Sequence, residues 1–432
     1  MSKRRGLHVC GAFVLFSILG AQMNDLFYDS WLLIGVEEHR YAKPYPTIPL
    51  NPSKPVAEHP PFQIEPGYWC KYGNRLRNEN CYWDFKVAAG KKVTMEKISD
   101  SRVEAIFNCE KNILIENADS WIIYDPQKAK KIAENEEWSY NGSSFFCVND
   151  KFYAIARKLE EISSTGSLLS LTRIMLASEL RFHDVASIDN NLILAGYQMN
   201  PMPRETGKPF GFLQKIPAEG FSPKSEKTGM REVARSQMIA FYLRRSMAPI
   251  YLKDTIVQPL ANRIAFFSYN LDVLRVIEGE FDPQFVSAGL NSTIYMSAFM
   301  KGSLVLIAFT PEGNEIFKAS ITRSLGDLVC PPLVSEEGIL YIAGMNGIAA
   351  FDQTGLHLWT HLFLRQTDGM VFPLLYNKYL SVCFDSKCMI IDSKDHVSLE
   401  FDLMDGQAHT ALIPDAYENY YVGTNKGAYK IH

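Results

Sequence analysis

The sequence predicts an all-β fold: a β-propeller of about eight four-stranded antiparallel blades, seven being the alternative count, with one helix-bearing insertion. Three observations predict it. First, the stretches AFTPEGNEIF (308–317) and AFDQTGLHLW (350–359) align in register, with Gly313 matching Gly355 and Phe317 matching Trp359. Second, the residue after the leading Ala, Phe309 or Phe351, has looser counterparts at Phe267, Ile391 and Tyr429, giving steps of 42, 42, 40 and 38 residues. Third, another apolar strand and a turn precede each copy, as in TIVQPLAN, TIYMSAFMKG, ILYIAGMNG, YLSVCFDSK and YYVGTNKG. A single small sheet cannot bury both of its faces, whereas sheets stacked around an axis bury them against one another. Weaker units centre on Tyr124, Ile155 and Leu213, which brings the count to eight.

The N-terminal segment has a different character. Lys3, Arg4 and Arg5 form a basic region, and a mostly apolar run extends from Gly6 to Ala21. That order reads as a signal peptide over residues 1–21, or as an N-terminal anchor if it stays uncleaved, and either reading exports the body of the protein. Residues 22–68 form a linker, with eight of the chain's 22 prolines between Pro44 and Pro66. Such density removes backbone donors and favours extended polyproline geometry. The propeller body is expected over residues 69–432. Because the last unit, KGAYKIH, ends after one strand pair, segment 81–98 (CYWDFKVAAGKKVTMEKI) is expected to complete the final sheet.

One interruption breaks the repeat at about residues 199–248. Within it Met230, Val233, Ala234, Gln237, Met238 and Phe241 recur at helical spacing, which predicts a helix. From Arg204 to Arg245 there are nine Lys or Arg against four Glu, in a protein of net charge −4. Long insertions in compact folds often carry function. Arg231, Arg235, Arg244 and Arg245 are therefore the candidate partner-binding residues, against the plainer reading of a solvated helix packed on the propeller.

Composition excludes some classes. With 47% apolar and 21% charged residues the chain buries a substantial core, and its net negative charge offers no general attraction to nucleic acid. Beyond the leader lie seven cysteines, an odd number for an exported chain. Cys70 and Cys81 flank a short polar loop and form a candidate disulfide. Cys383 and Cys388 are placed to face each other across a hairpin, while Cys109, Cys147 and Cys330 read as buried small hydrophobes. No nucleophile elbow, phosphate loop, HExxH or calcium loop is present. His357 and His361 are close in sequence but flank Trp359 near a strand, where their spacing does not suit a metal. Asp125, Asp352 and Asp392 occupy one repeated position, which argues for turn formation rather than acid–base work. Asn141 and Asn291 fit the glycosylation sequon.

The stretch YIAGMNGIAAFDQTGLHLW (341–359) resembles the pyrroloquinoline-quinone-type (PQQ-like) β-propeller repeat, with its Ala, Asp, Gly and Trp. The resemblance is clear in one unit, good in a second and degenerate elsewhere, and it runs from about Ile113 to the C-terminus. It implies that Trp359 docks one blade on the next, with Asp352, Gly355, Gly313 and Phe317 in matching structural roles. It also implies a quinone cofactor with calcium, but the adjacent Cys–Cys pair that accompanies the quinone in the family's enzymes is missing here. The expectation is therefore a degenerate, non-enzymatic member without cofactor, similar to the outer-membrane assembly scaffold propellers and binding an envelope protein partner. The alternative is a quinoprotein dehydrogenase-like or carbohydrate-active enzyme that uses the propeller channel.

Overall fold

The computed structural model describes the pair Lys71–Tyr72, residues 93–109 and 112–135, a series of strands between 144 and 242, and nearly all of 249–432. The described strands form eight antiparallel sheets, and no α-helix occurs among the described residues. Each sheet is a blade, numbered here from the N-terminal side. Blade 1 spans 103–135, blade 2 144–173, blade 3 180–242, blade 4 250–278, blade 5 282–320, blade 6 333–362 and blade 7 371–402. Blade 8 takes Ile413–Pro414, Tyr420–Thr424 and Gly427–Ile431 from the C-terminus and Met95–Ser99 from the N-terminal side.

First strands of successive blades approach one another, as Val103–Cys109 does with Ser144–Val148 and with Ile413–Pro414, so they line the axis. Lys71–Tyr72 pairs with the inner edge of Val103–Cys109 and makes blade 1 five-stranded. Because consecutive strands are antiparallel, the turns after the first and third strands lie at one end of the ring. The turn after the second strand and the connection to the next blade lie at the other.

Side chains alternate across each strand, so one strand serves two interfaces. In blade 6, Leu340 and Ile342 join the cluster shared with blade 5, where Leu306 and Ala308 pack. Their neighbours Tyr341 and Ala343 join Val371, Leu375 and Val382 of blade 7. The same division holds around the ring: one cluster unites blades 7, 8 and 1 through Tyr376, Tyr421 and Ile115, and another unites blades 3 and 4 through Leu213 and Ile256. The core thus sits between blades, as the repeat requires.

Ring closure follows the expected route. Met95, Glu96 and Lys97 pair with Ile431, Lys430 and Tyr429, and Thr94 exchanges two backbone hydrogen bonds with His432 (2.9 and 3.1 Å). Register also refines the repeat. The residue paired like Phe351 with the second strand is Ile431 rather than Tyr429, so the steps run 42, 42, 40 and 40 over residues 267, 309, 351, 391 and 431. The unit centred on Ile155 proves to be the first and second strands of blade 2, not the second and third.

The helix expected within the insertion is corrected. Gln237–Tyr242 is the fourth strand of blade 3, paired with Phe210–Lys215, and Met230–Ser236 lie outside the described residues. A short apolar run such as Met238–Tyr242 satisfies a helical and an extended pattern equally well. Its β-branched and aromatic residues, and the unpaired edge waiting at Phe210–Pro217, decide for the strand. Part of the supposed insertion is therefore blade.

Candidate functional site

The seam between blades is built from a repeated set of residues. At the turn between third and fourth strands, one side-chain oxygen accepts two backbone N–H groups, two and four residues on. Asp352 Oδ1 accepts from Thr354 and Leu356 (2.8 and 2.9 Å), and Asp392 Oδ1 from Lys394 and His396 (2.8 and 2.9 Å). Thr310 and Ser268 make the same pair of bonds with their hydroxyls in blades 5 and 4. Asp125 accepts from Lys128 N and Nζ. These short polar side chains compete with the ladder for backbone donors and close the turn. The hydrogen bond from Thr354 Oγ1 holds the Asp352 carboxyl below the usual carboxylate range, with the backbone donors adding to it.

Three residues after Asp352 the backbone must turn left-handed, and Gly355 does so at φ 83°, as Gly313 does at φ 88° in blade 5. Space constrains the same positions. A Cβ on Gly355 would lie 2.4 Å from the Phe317 ring, and one on Gly313 2.5 Å from Ile277. Phe317 and Ile277 belong to the fourth strands of the preceding blades, so each glycine receives a side chain from its neighbour. Phe317 lies over Tyr295 (6.4 Å between ring centroids), and Trp359 over Tyr341 (5.9 Å), in the equivalent place.

Blade 7 departs from this scheme, since Asp395 stands at the glycine position with φ 64°. There Trp359 Nε1 donates to the carbonyl of Ser393 (3.0 Å), and His361 Nδ1 bonds Asp395 Oδ1 (2.8 Å). The seam between blades 6 and 7 is thus polar at its outer end. Ser393 and Asp395 were not singled out by the sequence, and the signal for them was the third repeat of the turn, DSKD beside DQTG. His357 bonds Thr360 (2.8 Å), so the two histidines have separate partners.

Cys383 and Cys388 face each other in register on the second and third strands of blade 7 and form a disulfide, both fully buried. Cys330 is a free, buried thiol whose pKa is pushed up to about 12 by burial, which removes it from thiolate chemistry at neutral pH. Cys70, Cys81, Arg231, Arg235, Arg244 and Arg245 lie outside the described residues. Among the described residues, no group of three or more His, Cys, Asp or Glu is placed to hold a metal ion, and no helix is long and apolar enough to cross a membrane.

The outermost strand of blade 3, Gln237–Tyr242, carries no charged residue. In sequence, Arg231 and Arg235 precede it and Arg244 and Arg245 follow it.

The eight sheets, their inter-blade cores and the closing N-terminal strand define the chain as a β-propeller. Solved structures of similar fold include BamB from Moraxella catarrhalis (12% identity over 79% of this chain and 98% of that one, TM-score 0.55). The C-terminal WD40 domain of Sif2 is 9% identical over 79% of this chain and 99% of its own, with a TM-score of 0.57. The computationally designed protein Ika8 is 9% identical over 78% and 97%, with a TM-score of 0.53. Neither a family model nor a curated protein matches the sequence. At these identities the likeness establishes the fold.

Proposed function

We propose that the protein is an exported, non-catalytic β-propeller that serves as a protein-binding platform in the cell envelope, with the outer edge of blade 3 as its contact surface. One observation carries this reading: the basic insertion delivers an uncharged strand, Gln237–Tyr242, to the edge of a sheet. An outermost strand presents a row of backbone donors and acceptors to which an extended segment adds by strand pairing. The arginines on either side in sequence favour a partner segment with acidic flanks, which the acidic remainder of the protein would repel.

The basic, apolar leader supports export. The resemblance of the blade 6 repeat to the PQQ-like family, and through it to outer-membrane assembly scaffolds, supports an envelope location. Rigid display is the mechanism: the ring fixes the edge, and loops and insertion supply the contacts. In this reading the propeller works without a bound cofactor.

The test is the pair Arg244→Glu and Arg245→Glu in the full chain, expressed in its native cells. Recovery of crosslinked partner should fall about tenfold or more while the unfolding free energy of the purified protein stays within about 0.5 kcal/mol of the parent. Unchanged recovery dismisses the insertion as the contact.

A further inference from the structure

The fourth strands of blades 4 to 7 can be compared position by position, because register aligns Arg275, Phe317, Trp359 and Leu399 opposite equivalent residues of their third strands. Three places after the aligned residue, blades 4, 5 and 7 carry Glu278, Ser320 and Asp402, and blade 6 carries Leu362. Three places before it they carry Asp272, Asn314 and His396, and blade 6 carries Leu356. These two leucines are 53% and 63% exposed, and Leu364, two residues beyond Leu362, is 96% exposed. Leu358, 43% exposed, is not distinctive, because Leu274 and Ile316 stand exposed at the same place. Of the fourth strands whose side chains are described, His357–Leu362 alone carries no Asp, Glu, Lys or Arg. Sheet edges in soluble proteins are normally guarded by charge, and this one is not.

We propose that the outer edge of blade 6 is an isologous interface in which two copies of this chain pair antiparallel along His357–Leu362. The placement of the leucines points to a second copy. The exposed leucines sit at both ends of the strand, so a two-fold axis across its middle brings Leu356 and Leu358 of one copy beside Leu362 and Leu364 of the other. The strand itself carries no Asp, Glu, Lys or Arg, so apposing two copies along it brings no like charges together despite the net charge of −4. The strand is held for this role, since Trp359 and His361 tie it to Ser393 and Asp395 of blade 7. This interface is independent of the blade 3 edge.

The experiment is sedimentation velocity of the full chain in a mild detergent across a concentration series. The expected protein mass is that of two chains at high concentration. In the double variant Leu362→Glu/Leu364→Glu the dimer dissociation constant should rise about a hundredfold or more, with the thermal midpoint unchanged when both proteins are compared as single chains at low concentration, because both positions are exposed there. A single-chain mass for the parent at every concentration overturns the proposal, as does a dimer that persists in the variant. A photocrosslinker at position 362 should capture a second copy of this chain, and capture of a different protein instead overturns the choice of occupant.

Discussion

Gly355 and Asp352 show how much of a blade seam rests on single residues. Gly355 combines a left-handed backbone with the approach of Phe317 from blade 5, so two penalties meet in any larger residue. Gly355→Ala should lower stability by about 2 kcal/mol or more, from strain at positive φ and overpacking together; equilibrium urea unfolding measures it, and an unshifted midpoint would show that the seam yields. Asp352 titrates below the usual range because Thr354 and the backbone donors bind its ionised form. A depressed folded pKa means that its contribution is fully present above the unfolded value of about 3.9 and is lost as pH falls through the folded value. Asp352→Asn, which still offers an acceptor but does not ionise, should therefore show a shallower loss of stability than the parent on acidification below about pH 4. Identical slopes in urea midpoint against pH would contradict that assignment. These residues were legible in the sequence because they recur. Ser393 and Asp395 were not, because blade 7 departs from the glycine that the repeat leads one to expect.

At the scale of elements, the closing strand matters most. Met95–Ser99 covers the outer side of Gly427–Ile431, and without it that strand is an open edge beside the chain terminus. Thr94 and His432 exchange both of their backbone bonds, and antiparallel ladders alternate, so the next bonded pair is Glu96 with Lys430. Glu96→Pro removes that donor and should cost about 3 kcal/mol, with aggregation through the exposed edge. Urea titration and size-exclusion chromatography report the two effects, and a parental midpoint with a monodisperse peak would contradict the closure account. That segment 81–98 would complete the final sheet was expected, and Met95–Ser99 does so. The fourth strand of blade 3 was not: its helical spacing continued through Phe241, and only a partner strand distant in sequence, Phe210–Pro217, selects the extended form. Local pattern cannot register a partner of that kind.

For the whole molecule, the sequence carries the ring well and the surface poorly. Repeats of 40 to 42 residues persist from residue 267 to 431 because each blade meets the same neighbours, so the same buried positions must be filled each time. Contact surfaces face no such repetition. Blade 6 shows its leucines only when its edge is laid beside the edges of blades 4, 5 and 7, which requires the register that the fold supplies. In the proposed function this ring holds a protein partner through the edge of blade 3. Crosslinking in intact native cells, followed by affinity purification and mass spectrometry, tests it most directly. One reproducible envelope partner crosslinked within residues 199–248 is expected. Efficient crosslinking of a control protein, with no partner recovered on this chain, would contradict it.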